Sequence, residues 1–149
     1  MLKVLIAEDE LLTADLLEDF LSASGYEVCG IARTVDEGVA LAELHKPDLA
    51  ILDVRLARGD RGTEIVRRLS SGRGKLGVLY ATGDDARNST LTVSDGEASI
   101  AKPYRPEDLL RALVIVREIM TTGTATPPFP PGFRLLPESA TRFAQAVPA

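Results

Sequence analysis

The chain has one cysteine, Cys29, one histidine, His45, no tryptophan, and aromatic residues at only 5% of positions. A lone thiol can make neither an internal disulfide nor a thiolate metal site, which agrees with a reducing compartment. Cys29 itself reads as a small buried apolar side chain. Apolar stretches run only four to six residues before a charge or glycine, so no segment reads as a bilayer span or as the core of a signal peptide. A cytoplasmic location is expected. Basic residues are in deficit, 17 against 22 acidic, for a net charge of −5. That balance repels polyanions and argues against DNA or an anionic membrane as partner. The basic residues are concentrated locally: Arg55, Arg58, Arg61, Arg67, Arg68, Arg73 and Lys75 face only Asp60 and Glu64 between positions 54 and 75. This run reads as a solvated helix face or as a docking patch for an acidic partner. With 149 residues, 45% of them apolar, the chain has the size and core of one average domain.

Proline is scarce before residue 121, where only Pro47, Pro103 and Pro106 occur, whereas six of the nine lie from Pro127 to Pro148. The sequence therefore divides into residues 1–120 and a Pro-rich tail, 121–149. In the first part, strand-like runs at Lys3 to Ala7, Glu27 to Ala32, Leu49 to Leu52, Gly77 to Ala81 and Ala98 to Ala101 alternate with helical patterns. Most of these runs are continuously apolar, as parallel strands covered on both faces must be. An α/β fold follows. Leu12, Leu16 and Phe20, with Leu17 and Leu21 beside them, set a helical stripe over residues 11–23 that Gly25 stops. Thr34 to Glu37 reads T-V-D-E, a capping box opening a second helix that runs to about Lys46. Ile65, Val66 and Leu69 mark a third helix. Pro106 with Glu107 and Asp108 opens a last one, whose buried side is Leu109, Leu110, Leu113, Val116 and Met120. Residues 84–96 have few apolar anchors, so any helix there is expected to be short or mobile.

In such a sheet the strand C-terminal ends converge on one edge, where ligands bind. The first strand runs into Glu8, Asp9 and Glu10, the third into Asp53, the fourth into Thr82 and Gly83, and the fifth into Lys102 and Pro103. Singly, each has a plain explanation as a cap, a helix-dipole partner or a turn. Together they put carboxylates, a hydroxyl and an ammonium in one cleft. Glu8, Asp9 and Asp53 would repel one another unless a hard cation sat among them. Mg²⁺ suits an all-oxygen set that keeps open positions for water and phosphate. Asp53 could then attack phosphorus while Lys102 and the metal neutralise the phosphoryl oxygens. Thr82 could donate its hydroxyl to the product, and Gly83 leaves backbone room beside it.

The ordered set A-E-D-E, L-D-V-R, A-T-G and K-P-Y, with separations of 44 from Asp9 to Asp53, 29 to Thr82 and 20 to Lys102, resembles a response-regulator receiver domain over residues 1 to about 120. The resemblance implies a flavodoxin-like, doubly wound, five-stranded parallel sheet of order 2-1-3-4-5. It implies that Asp53 accepts phosphate from a sensor histidine kinase or histidine phosphotransfer protein. Glu8, Asp9, Asp53 and the Arg55 carbonyl would bind Mg²⁺, and Thr82 and Lys102 the phosphoryl group. It also makes Lys102–Pro103 a candidate cis peptide. The switch position three before the lysine, usually aromatic, is Ser99 here, and the usual proline-containing segment after the phosphoacceptor is replaced by L-A-R-G-D-R-G. With L-Y-A-T-G, these departures resemble the single-domain receivers with an F-A-T-G motif found in alphaproteobacteria. Arg55 and Asp84 occupy places that tune phosphate lifetime in that family, and their opposite charges could pair over the site. His45, beside Lys46 and Pro47 at a helix end, reads as a dipole-complementing cation rather than a phosphotransfer group.

After Met120 only 29 residues follow, too few for an output domain, yet they hold Phe129, Phe133 and Phe143, three of the four phenylalanines. P-P-F-P-P favours polyproline II geometry, and Pro137 to Val147 could form a short helix. The tail could pack back on the receiver, bind a partner or a second copy, or stay disordered. Dimerisation through the last helix, fifth strand or tail is an open expectation. The leading expectation is a single-domain signalling protein that catalyses only its own phosphorylation and dephosphorylation and acts on a downstream protein target. Two alternatives are weighed against it. A pseudo-receiver would serve only as a binding module. An aspartyl-phosphate hydrolase of the haloacid dehalogenase type would need D-x-D after the first strand, where this chain reads E-D-E.

Overall fold

The structure is a computed structural model and describes residues 1–70, 72–83 and 90–138. In chain order the elements are β1 (Lys3–Ala7), α1 (Leu11–Ala23), β2 (Glu27–Ala32), α2 (Val35–His45), β3 (Leu49–Asp53), α3 (Thr63–Arg67), β4 (Gly77–Thr82), β5 (Ala98–Ala101), α4 (Pro106–Thr122) and β6 (Phe133–Leu135). The strands lie side by side as β2-β1-β3-β4-β5-β6. The first five are parallel, in the expected order 2-1-3-4-5. The sheet is not five-stranded, however: β6 pairs antiparallel with β5, setting Ala98 opposite Leu135, Ser99 opposite Arg134 and Ile100 opposite Phe133. The tail's F-R-L is too short and too closely flanked by prolines to announce itself as a strand. Only the open edge of β5 gives it a ladder to join. Among the described residues no helix is long and apolar enough to cross a membrane.

Alternation along the strands divides the core into two layers. Leu5, Leu52, Val78 and Tyr80 face α2 and α3, while Val4, Ile6, Ile51 and Leu79 face α1 and α4. Each fully buried aliphatic side chain contributes roughly 1.5–3 kcal/mol of transfer free energy. Strands β3 and β4 are buried along their whole length, whereas β2, at the sheet's edge, is mostly half-exposed. Helix α2 begins as expected: the Glu37 amide donates to Thr34 Oγ1 at 3.2 Å, and the Glu37 carboxylate accepts from the Arg33 amide at 2.8 Å. It ends on Lys46 in the left-handed region.

Helix α1 departs from the expected stripe. Its buried residues are Ala14, Leu17 and Leu21, and Leu12 and Leu16 are 68% and 62% exposed. The helix carries leucines on two faces, and periodicity cannot say which the sheet takes. The packing selects the face with small Ala14, which lets the helix approach. On α4 the buried residues are Leu109, Ala112, Leu113, Ile115 and Val116, with Leu110 and Met120 only half-buried. Residues 90–96 form turns rather than helix. The remainder of the expected weak segment, including Asp84, and most of the expected tail helix fall outside the described residues. Of the basic run, Arg67 pairs with Glu64 and Asp95, Arg68 with Asp36 and Arg73 with Glu97. These arginines are therefore ties between elements rather than a bare solvated face.

Candidate functional site

Because β1, β3, β4 and β5 are adjacent and parallel, the residues that follow them meet at one sheet edge. Asp53, 9% exposed, ends β3 and is held at both carboxylate oxygens. The Arg55 amide donates to Oδ1 at 3.2 Å, and the Lys102 ammonium donates to Oδ2 at 2.7 Å. The same ammonium reaches Glu8 Oε1 at 3.0 Å, while the Glu10 amide donates to Glu8 Oε2 at 3.3 Å. Lys102 is positioned by its own amide, which bonds the Thr82 carbonyl at 2.8 Å across the β4–β5 ends. The Lys102–Pro103 peptide is cis. A cleft of about 340 Å³ is lined by Asp9, Asp53, Arg55, Thr82, Gly83 and Lys102.

Glu8, Asp9 and Asp53 each offer an oxygen, and these atoms lie within 4.8 Å of one another. Burial pushes the Glu8 carboxyl up to about 7, and the neighbouring Asp53 adds to this against the opposing effect of Lys102. Burial alone would lower the Lys102 ammonium, but its bonds to Asp53 and Glu8 outweigh that and raise it. Among the described residues the cleft gathers three acids around one ammonium that bonds two of them, with the Arg55 guanidinium at the rim, an arrangement still short of positive charge. An all-oxygen donor set with that deficit fits a hard divalent cation such as Mg²⁺, and Glu8, Asp9 and Asp53 are the side chains that would hold it.

Thr82 is 5% exposed at the cleft wall. Gly83 lines the cleft beside Thr82, and a Cβ there would meet none of the described residues within 4 Å but would project into open space. Arg55 is exposed on the rim. Its expected partner Asp84 lies outside the described residues. Ser99 is 3% exposed and opposite Tyr80 on β4. Tyr80 is fully buried on the α2/α3 side, and its hydroxyl donates to the Asp95 carbonyl at 2.9 Å. An aromatic residue thus lies opposite position 99 on the neighbouring strand.

Two residues that sequence reasoning passed over organise the L-A-R-G-D-R-G loop. The Asp60 carboxylate accepts from the Val35 amide at 2.9 Å and ties the loop to the start of α2. The Gly62 amide donates to the Val54 carbonyl at 2.9 Å, and a Cβ on Gly62 would collide with the Asp53 carbonyl oxygen. Only a residue without a side chain lets the loop close so tightly behind Asp53. The recurrence of glycine nine residues after Asp53 in R-G-D-R-G was the available signal.

The response regulator receiver domain profile matches residues 4–114. The transcriptional regulatory protein PdtaR of Mycobacterium tuberculosis is 38% identical over 113 residues, covering 74% of this chain and 54% of that protein. The phyllosphere-induced regulator PhyR of Methylorubrum extorquens is 34% identical over 108 residues, covering 72% of this chain and 40% of that protein. The chain therefore spans about half the length of the curated relatives it matches. Among solved structures, a CheY-like response regulator receiver domain protein from Methanospirillum hungatei superposes with a TM-score of 0.71 at 29% identity, covering 83% of this chain and 99% of that one. With its parallel order 2-1-3-4-5, its acidic pocket and these matches, the chain belongs to the response regulator receiver domain family.

Proposed function

We propose that this chain is a phosphoryl-accepting signalling protein of a two-component or phosphorelay system, with Asp53 as the acceptor. The observation that carries the reading is the convergence of Lys102 on Asp53 and Glu8 beside Asp9 in an open cleft. The phosphoryl group comes from a phosphohistidine on a kinase or phosphotransfer protein. An Asp53 carboxylate oxygen forms the new O–P bond as the N–P bond breaks, and the leaving electron pair returns to the imidazole, which is protonated from solvent. Lys102 neutralises phosphoryl oxygens, and the Thr82 hydroxyl donates to one of them. The Arg55 amide keeps the carboxylate oriented for in-line attack. Mg²⁺ supplies further neutralisation of phosphoryl charge when bound. Water later cleaves the acyl phosphate, returning inorganic phosphate and the carboxylate. The chain thus catalyses its own modification, and its output is binding to a downstream protein, in keeping with a cytoplasmic setting.

The donor docks beside the site. A cleft of about 350 Å³ lies between α1 and the segment after β5, lined by Leu16, Leu17, Phe20, Lys102, Pro103 and Tyr104. Lys102 borders both this cleft and the acidic pocket, so an apolar helix of the histidine-bearing donor seated on exposed Leu12 and Leu16 would bring its phosphohistidine to Asp53.

Incubation with acetyl phosphate and Mg²⁺ tests the reading. Wild type is expected to gain one acid-stable, hydroxylamine-labile phosphate that Asp53→Asn does not. A wild type that stays unmodified even with its cognate kinase would instead be a pseudo-receiver that works as a binding module.

A further inference from the structure

Past the end of α4, the chain does not leave the domain. The Glu118 carboxylate accepts from the Thr126 amide at 2.7 Å and from its hydroxyl at 2.6 Å, and the Arg111 guanidinium donates to the Thr126 carbonyl at 2.9 Å. The tail is stapled along α4 and then turns onto the sheet. The Phe129 and Phe133 rings pack in a tilted arrangement, their centroids 5.2 Å apart and planes at 44°. The Ala101 amide donates to the Gly132 carbonyl, the Leu136 amide to the Glu97 carbonyl and the Val93 amide to the Pro137 carbonyl, at 3.0, 3.1 and 2.8 Å. Phe133 packs against the α1/α4 layer of the core, and Leu136, 6% exposed, enters the opposite layer. The segment clips over the sheet's edge with one apolar side chain on each face.

Two features make this clip releasable and connect it to the acidic pocket. The strand is three residues long, none of them fully buried. It contributes an edge with few ladder bonds, the sort of element that opens locally before the rest of a domain. Just before the strand, the Gly132 carbonyl accepts from the Ala101 amide, and a Cβ on Gly132 would crowd the Ala101 Cβ at 3.2 Å, so glycine is what lets the segment seat there. Ala101 directly precedes Lys102, whose ammonium is on Asp53. A phosphoryl group on Asp53 raises the negative charge there and draws Lys102 toward it. That displacement acts on Ala101, whose amide holds the tail through its bond to the Gly132 carbonyl.

We infer that residues 124–138 are a built-in strap over the β5 edge, seated while Asp53 is unmodified and loosened when it carries phosphate. This rests on the reading of Asp53 as phosphoacceptor and adds the device by which the modification is read out. Release bares the β5 edge and the outer side of α4, and an extended partner segment with F-R-L-L-like spacing can pair with that edge in the strap's place.

Amide hydrogen exchange on the full chain, followed by NMR with and without Mg²⁺ and beryllofluoride, tests the inference. The Val93, Ala101 and Leu136 amides are expected to exchange at least about tenfold faster with the phosphoryl mimic. The Gly77 amide, bonded to the Asp48 carbonyl at the far end of the sheet, should not change, and Asp53→Asn should show no effect. If the Arg55 and Lys102 resonances shift but the Val93, Ala101 and Leu136 amides that join the tail to the domain exchange unchanged or more slowly, the strap is not coupled and the inference fails. If no resonance near Asp53 responds in wild type, the phosphoacceptor reading falls and takes the coupling with it. Leu136→Ala, without reagents, should speed exchange at the same three amides and leave Gly77 protected. Loss of protection throughout the sheet would show the segment to be part of the folding core and would overturn the strap.

Discussion

The buried carboxyl of Glu8 makes the metal-free protein sensitive to pH in an unusual direction. Held near 7 by burial and by Asp53, Glu8 binds its proton more tightly in the native state than in the unfolded chain, where it titrates near its ordinary value of 4.5. Its contribution to stability is therefore fully present below about pH 4.5 and is lost as pH rises through about 7. The full shift corresponds to roughly 3 kcal/mol. Solvent reaching the open cleft screens the charges and reduces that to about 1–2 kcal/mol. For a chain of this size the expected change is a melting temperature about 3–6 °C higher near pH 5.5 than near pH 8 in EDTA. Saturating Mg²⁺ should reverse the order, because a divalent ion takes the place of the proton and is bound only by the ionised site, so it stabilises most at the higher pH. Circular dichroism melts at both pH values, with and without Mg²⁺, measure this. Glu8→Gln removes the titrating group and should flatten the metal-free profile. A wild-type profile that is already flat, or a Glu8→Gln profile with the same slope as wild type, would refute the assignment of this strain to Glu8.

Other consequences concern neighbouring positions. Gly62→Ala would force a methyl group against the Asp53 carbonyl oxygen, a backbone atom that cannot yield as a flexible side chain does. It should cost about 2 kcal/mol or more in urea unfolding and slow phosphate uptake from acetyl phosphate. Gly83→Ala, whose methyl would meet none of the described residues within 4 Å, should leave the urea midpoint near wild type. Tyr80→Phe strands the Asp95 carbonyl that the hydroxyl now satisfies. A loss of about 1–3 kcal/mol is expected by urea unfolding, with phosphate uptake retained because Tyr80 does not line the acidic cleft.

Much of the fold was legible because its signals are local. The five parallel strands are short apolar runs, the start of α2 is a capping box within four residues, and the start of α4 is a proline followed by two acids. Each depends on chemistry between near neighbours in sequence. The acidic pocket was legible for a different reason: in a parallel sheet, whatever follows a strand lies at one edge, so reading the residues after each strand reads the site. The buried face of α1 was not legible. Its leucines cover two faces, and the choice between them belongs to the sheet, which needs the close approach that Ala14 permits.

By itself, then, the sequence determined five short parallel strands of an α/β sheet and the gathering of Glu8, Asp9, Asp53, Thr82 and Lys102 at one edge, while the order 2-1-3-4-5 was implied only by the family its motifs resemble. Strand periodicity and turn chemistry are written in contiguous residues. Tertiary structure alone decided that Phe133–Leu135 becomes a sixth strand, that Gly62 must have no side chain behind Asp53, and that Tyr80 comes to lie opposite Ser99. Each of those depends on a surface that exists only after distant segments have packed together: an unpaired strand edge, a carbonyl nine residues back, a space beside a neighbouring strand.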